Sequence, residues 1–313
     1  MSSTGTVQPG VGAPQEKPAQ VLRQSKTGMG QGSATWPVKI FIIVLCVLWM
    51  IPVVGLLINS FRPRDEQLSS GWWTAIFSPF STGWTIQNYT EVLTTDTAGV
   101  NMGTAFINSF VVTVPATIIP ILIAAFAAYA FTFMQWRGRD IVFIIIVGLL
   151  VVPNQVALVP LLKIYGAIGL NGTFPAIWLA HIGFGMPLAI YILRSYMSTL
   201  PLAIIESAKI DGASHFTTFW RLIMPMSVPA LASFAIFQFL WVWNDLLVAY
   251  VFLGGAGQNV VLTVALRELV GSRGENWHLL TSAAFISMAL PLLVFFALQK
   301  YFVRGLTAGA VKG

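Results

Sequence analysis

The sequence predicts an all-α polytopic membrane protein with six transmembrane helices. Three observations lead there. Hydrophobic residues make up 56% of the 313 positions and charged residues only 9%, with a mean hydropathy of +0.78, a balance too apolar for an ordinary soluble domain. Six apolar runs, near 38–58, 105–131, 141–162, 174–197, 227–252 and 279–303, each reach the roughly 20 residues that cross ~30 Å of hydrocarbon. Lys and Arg are also unevenly placed. With the N-terminus inside, the inner segments hold twelve and the outer segments five, which puts both termini in the cytoplasm. A barrel is disfavoured, because its strands would alternate and "IVFIIIVGLLVV" at 141–152 does not.

In chain order, 1–37 is rich in Gly, Gln, Ser, Thr and Pro and reads as a disordered cytoplasmic tail. The first apolar run is too long for a cleaved signal peptide and lacks a cleavage site, so it is a retained span. It carries Cys46, the single cysteine. No internal disulfide and no Cys-based metal site follow. The outer loop 59–104 contains Trp72, Trp73, Phe77, Phe80 and Trp84. These suit either the membrane–water interface or the docking of an external partner. Pro153, Asn154 and Gln155 interrupt the third run, and His181, Gly183, Gly185 and Pro187 loosen the fourth. Such breaks line cavities or act as hinges, and small residues also allow close helix packing. His181, His215 and His278 lie far apart in different elements, so no metal site is expected.

The segment 198–225 stands out for its charge. It holds Glu206, Lys209, Asp211, His215 and Arg221 between two apolar runs. Thr199 is placed to cap a helix starting at Pro201. Leu202, Ile205 and Lys209 then share one face, with Ile204 beside it. Asp211-Gly212 signals a turn, Ser214 caps a second helix with Phe216, Phe219 and Trp220, and Pro225 closes the block. The result is a helix–turn–helix at the inner membrane face, either sealing the bundle or docking into a cytoplasmic partner.

"ESAKIDGAS", followed by "LIMP", resembles the EAA loop of ABC importer permeases, Glu-Ala-Ala with a later Gly and Ile-x-Leu-Pro. Glu206, Ala208, Gly212 and Pro225 match it. Ser207 stands where Ala is usual, and Leu222 and Met224 stand for Ile and Leu. "IQNYTEVL", "VPNQVALVPLL", "GLNGTFPAI", "WNDLL" and "FVRGLTAGAVKG" extend the resemblance to the MalG-like permeases of carbohydrate importers over roughly 38–313. That resemblance implies an inner-membrane subunit whose inner loop fits a groove of a separate ATPase. The coupling residues would be Glu206, Ala208, Asp211, Gly212, Ala213, Ser214 and Pro225. Implied partners are a second homologous permease, two ATPase subunits that bind ATP and Mg, an external sugar-binding protein, and membrane lipid. The expected domains are the tail 1–37, a transmembrane permease domain 38–304, and a C-terminal tail 305–313 reaching toward the ATPase subunits.

The chain shows no G-x-x-x-x-G-K-[ST] and no Gly-Lys pair, so no P-loop cradles a phosphate. No G-x-S-x-G or H-E-x-x-H appears either. A non-catalytic subunit with no cofactor of its own is expected. The net charge of +6 has no basic helix or aromatic platform with it, so nucleic acid is not a partner. Asp245 is the acid placed within a span, where a charge costs roughly 2.5–3.5 kcal/mol. Gln238, Trp241 and Asp245 share a face by their i, i+3, i+7 spacing, with Asn244 alongside. Rings with amide and carboxylate groups suit a sugar, but a buried structural hydrogen bond would use the same residues. "LRELVGSRGENWHLLTSAAFISM" resembles permeases for α-glucosides such as maltose or trehalose. A secondary transporter or channel is the alternative. It calls for inverted repeats and more intramembrane acids, and neither is visible.

Overall fold

The computed structural model describes residues 36–97, 100–270 and 276–308. Nearly all of the expected tail 1–37, and residues 309–313 of the C-terminal tail, lie outside the described residues. Helix α1, Trp36–Ser60, opens the described chain. Every residue of 36–51 is exposed, and a surface that apolar suits hydrocarbon.

From Pro52 onward the chain winds as follows. Three short helices, α2 Arg64–Ser69, α3 Thr74–Phe77 and α4 Gln87–Thr94, precede a two-residue antiparallel ladder, β1 Asp96–Thr97 with β2 Val100–Asn101. Helix α5, Met102–Phe133, follows, its first turn capped by Asn101 Oδ1 accepting from Thr104 N at 2.8 Å. Helix α6, Arg139–Gly148, tightens into a 3₁₀ turn, and α7, Asn154–Ala167, leaves it at 100°. Next come α8 Phe174–Met197, α9 Leu202–Ile210, α10 His215–Thr218, a π turn Phe219–Ile223, and α11 Met224–Met226. Helix α12, Val228–Trp243, departs from the preceding segment at 73°. The last helices are α13 Leu247–Leu253, α14 Leu262–Val270 and α15 Trp277–Ala308.

Helices α1, α5, α8 and the Trp277–Gln299 part of α15 are each long and apolar enough to cross a membrane. Counting each bent pair as one crossing gives six, in keeping with the six-span fold, but the second pair runs from His215 to Trp243 and so begins inside the charged block rather than at 227. The run expected at 141–162 is broken near its middle. Pro153 has no N–H and forces Val152 out of the helical region, to φ −77°, ψ 119°. The run expected at 227–252 ends its first helix at Trp243, so Asn244 and Asp245 sit in a break between α12 and α13.

Helix α5 packs along α8, and α12 packs on both α15 and α5. Proline shapes these contacts. A proline within a helix leaves the carbonyl four residues earlier without its usual donor. Pro115, Pro120 and Pro291 free the carbonyls of Val111, Ala116 and Ser287. Each takes a side-chain N–H from a neighbouring helix. Trp178 Nε1 donates to Val111 O at 3.1 Å, Gln238 Nε2 to Ala116 O at 3.0 Å, and Trp243 Nε1 to Ser287 O at 3.1 Å.

The loop 59–104 is a built scaffold. Arg62 is 1% exposed and its guanidinium holds the loop together. It donates to Asn59 Oδ1 at 3.0 Å, to the carbonyls of Glu66 at 3.0 Å and Ser70 at 3.3 Å, and to Ser70 Oγ at 2.5 Å. Asn88, inside "IQNYTEVL", donates to Ser60 O and Arg62 O. Ser282 of α15 donates to Ser60 O at 3.2 Å. Trp73, Phe77, Phe80 and Trp84 of this loop are exposed, whereas Trp72 is half-buried.

Candidate functional site

The charged block folds as an exposed helix pair. Ile205 and Ala208 are the buried residues of α9. Ile205 joins a cluster with Leu193 and Met197 of α8, Phe219 and Ile223 of the π turn, and Phe234 of α12. Leu202, expected on the same face as Ile205, is exposed, as are Lys209 and Ile210. Thr199 does not cap α9. Its hydroxyl donates to Tyr196 O at 2.7 Å, closing the end of α8 instead. Pro201 precedes the first helical residue.

The turn is fixed by backbone geometry. Ala213 N donates to Ala208 O at 2.9 Å and Gly212 N to Lys209 O at 3.0 Å. That pair of bonds is the Schellman closure of a helix, which needs a left-handed residue just past the end. Gly212 supplies it, with φ +74°. A Cβ there would meet nothing within 4 Å among the described residues. Ser214 then caps α10, its Oγ accepting from Thr217 N at 3.2 Å. A groove of about 440 Å³ lies between the two helices, lined by Ser207, Ala208, Asp211, Ala213, Thr217 and Arg221, among others. Glu206 is exposed and makes no hydrogen bond or ion pair among the described residues.

The helix passes through Pro225, and the bend falls two residues later, at Ser227–Val228. The turn widens to π just ahead of Pro225, which relieves the clash between a proline ring and the carbonyl four residues back. Tyr196 Oη donates to Met226 O at 3.1 Å at the bend.

The second feature is a cavity of about 500 Å³ at the break of the third span. Asn154, Gly183, Phe184, Phe237, Gln238 and Trp241 are among its walls. Of the four residues expected to line a pathway, Gln238 and Trp241 lie here, and Asn244 and Asp245 do not. Gln238 is 3% exposed. Gly185 makes room for it, since a Cβ at 185 would come within 2.6 Å of its amide. Trp241 meets His181 edge to face, with centroids 5.2 Å apart.

The "WND" stretch is a joint between helices. Trp243 is buried between Phe239 and Phe106. Asn244 ends α12 with its side chain donating to Leu240 O. Asp245 Oδ2 accepts from Ala249 N at 3.0 Å, capping the first turn of α13. His181, read from the sequence as loosening its helix and as no part of a metal site, is fully buried with Nε2 3.6 Å from Asp245 Oδ2. Its Nδ1 lies 3.1 Å from Ile177 O, which can only accept, so Nδ1 carries a proton. Pairings such as His181 with Asp245, or Gln238 with Ala116, cross 64 and 122 residues of chain. The prolines at 115, 120 and 291 mark which carbonyls are free, but nothing local marks the donor.

We expect Gln238→Leu to destabilise the purified protein by about 1 kcal/mol, the scale of one hydrogen bond inside a membrane bundle. In a Pro120→Ala background, residue 120 regains an N–H for Ala116 O, and the cost of losing Gln238 should shrink. Thermal unfolding of the four proteins in a double-mutant cycle measures this. Equal costs in both backgrounds would remove the carbonyl cap as the reason for Gln238.

Among the described residues there is no group of His, Cys, Asp and Glu that could hold a metal. The model of the binding-protein-dependent transport system inner membrane component family matches residues 106–308. The osmoprotective compounds uptake permease protein GgtD of Synechocystis is 54% identical over 88% of this chain and 92% of its own length. The alpha-glucoside transport system permease protein AglG of Rhizobium meliloti is 42% identical over 89% of this chain and 97% of its own. Among solved structures, a chain of a bacterial ABC transporter involved in the import of the acidic polysaccharide alginate aligns with a TM-score of 0.65 at 20% identity, covering 86% of this chain and 98% of that one. That likeness speaks for a shared fold. By the family match over most of its length, and by relatives that span it nearly end to end, the chain belongs to the inner membrane components of binding-protein-dependent transport systems, as a non-catalytic permease subunit.

Proposed function

We propose that this chain is one of two membrane halves of an ATP-driven importer for a sugar of the α-glucoside type. A homologous permease would form the other half, two ATPase subunits would bind ATP and Mg, and an external binding protein would deliver the sugar. The observation that carries the coupling assignment is the 201–225 block. Its turn is closed by Gly212 at φ +74°, its inner face packs on the bundle through Ile205, and the Glu206 carboxylate has no partner among the described residues. Such a block carries exposed charge at Glu206, Lys209 and Asp211, which supports reading it as the surface another protein grips. The Lys and Arg distribution supports putting it, and both termini, in the cytoplasm.

The cavity supports a sugar route. Trp241 and Phe184 offer ring faces, and Asn154 and Gln238 offer amides. Asn244 and Asp245 form the joint that ends the Trp241 helix and begins the next. The α-glucoside assignment rests on the relative at 42% identity. A second reading, a charged osmoprotectant in place of a sugar, is prompted by the relative at 54%, whose name gives its cargo as osmoprotective compounds. The two separate in one experiment. The complex copurified with its ATPase chains and binding protein is given maltose, trehalose or glycine betaine, and ATP hydrolysis is followed in liposomes. Stimulation by a disaccharide and not by glycine betaine is the expected result. The reverse pattern would replace the sugar assignment.

A further inference from the structure

Helix α5 is not joined by chain to the 201–225 block, yet it makes the block's most specific contacts. Tyr129 of α5 is 4% exposed, and its Oη lies 2.9 Å from His215 Nδ1, across 86 residues of sequence. Phe126, one turn earlier, stacks on Phe219 with centroids 4.3 Å apart and planes 23° apart. Tyr129 meets the same Phe219 edge to face at 5.5 Å. Phe126 also meets Trp220 edge to face at 5.7 Å. Phe219 itself is 2% exposed and is the first residue of the π turn. An extra residue in a helical turn changes which side chains face a neighbour, and such turns recur at functional sites. Here it brings the adjacent Phe219 and Trp220 onto one ring of α5.

We infer that the Tyr129–His215 hydrogen bond, seated on the Phe126–Phe219 stack, is the positioning contact through which motion of the block reaches α5. The inference rests on the reading of the block as the ATPase grip. The stack alone constrains the block less tightly, because ring pairs are accepted in offset-stacked and edge-to-face arrangements over a range of centroid distances. A 2.9 Å hydrogen bond is directional and constrains it more. His215 keeps the bond whether neutral or protonated, since Nδ1 accepts from Tyr129 in one state and donates to it in the other. Tyr129 and His215 therefore set the angle at which the block rides on α5.

The test uses the whole complex, copurified with its ATPase chains and carrying Cys46→Ala. A single nitroxide is placed at Ile107→Cys, an exposed position near the far end of α5. The readout is the spectral change on adding MgATP. Removing one hydrogen bond corresponds to about a three- to tenfold shift in a two-state balance. Tyr129→Phe and His215→Ala should therefore cut the response at 107 by about that factor, while the ATPase chains still copurify in full. His215→Gln, which can still hydrogen-bond, should restore it. Responses equal to the unmodified complex would overturn the inference. So would loss of the ATPase chains in both variants, because the pair would then hold the block's docking surface rather than its motion. If the unmodified complex itself shows no response to MgATP, the coupling assignment fails and this inference with it.

Discussion

A Gly212→Val chain is expected to insert and fold, but to weaken its grip on the ATPase subunits by about five- to thirtyfold. The cause is backbone strain. Gly212 sits at φ +74° in a Schellman turn. An L-residue held in that left-handed region costs about 1–2 kcal/mol, with β-branched residues at the upper end. A few hydrogen bonds of the block can be sacrificed to avoid that cost. The turn would then open, and Ser214, Thr217 and Glu206 would lose their fixed relation. Among the described residues no atom lies within 4 Å of a Cβ at 212, so steric conflict with them is not the reason. This allows a sharper comparison. Asn tolerates the left-handed region. Gly212→Asn should keep the turn and, if only φ matters, keep coupling. If Asn also uncouples while the turn survives, a partner's backbone must approach Gly212 closely. Copurification of the ATPase chains, followed by substrate-stimulated hydrolysis, reads both variants. Full coupling in Gly212→Val would contradict the role given to the turn.

Arg62→Ala should cost the protein about 3 kcal/mol or more, as expected when one partner of a buried charged network is removed. Arg62 is buried to 1%, and its loss leaves Asn59 Oδ1 and the Ser70 carbonyl without the donor it supplies, while the Glu66 carbonyl keeps Ser70 N and Ser70 Oγ. Helix α2 has no side-chain cap at its N-terminus, and beside the guanidinium it is held by Gln67 donating to Asn59 O and Arg62 O and by Glu66 Oε1 accepting from Gly83 N. Arg62→Lys should fail nearly as badly. An ammonium has three donors on one point, whereas the planar fork reaches several acceptors at once. Thermal unfolding of the detergent-purified protein checks this. A midpoint unchanged by Arg62→Ala would show that the loop 59–104 does not depend on the guanidinium.

The spans were legible because hydropathy and length are properties of single segments. Residues 141–162 announced a break at Pro153, but the 100° turn could not be read. A proline states that a helix is interrupted and leaves the new direction to packing. The turn at Gly212 and the cap at Ser214 were legible for the same local reason: a left-handed glycine and a hydroxyl before a helix act within five residues. Thr199 was misassigned as a cap because its hydroxyl serves the helix behind it rather than the one ahead. The three short helices of the outer loop left no periodic signal. They are shorter than a stable isolated helix and are ordered by side chains such as Arg62 and Asn88. Tyr129 with His215, and His181 with Asp245, pair across long stretches of chain, where a single sequence carries no register. The "WND" stretch looked like ligand chemistry because the same polar groups that bind a sugar also end one helix and cap the next.

The most direct measurement is accumulation of radiolabelled sugar in proteoliposomes, using whichever disaccharide stimulates hydrolysis. The vesicles hold either this chain with its companion permease alone, or the same pair with the ATPase chains, and the binding protein is supplied outside. The expected result is accumulation only with the ATPase chains present and MgATP inside, with none when a proton or sodium gradient is imposed on the permease pair alone. Accumulation by the permease pair under an ion gradient, without ATP, would contradict the assignment and make the chain part of a secondary transporter.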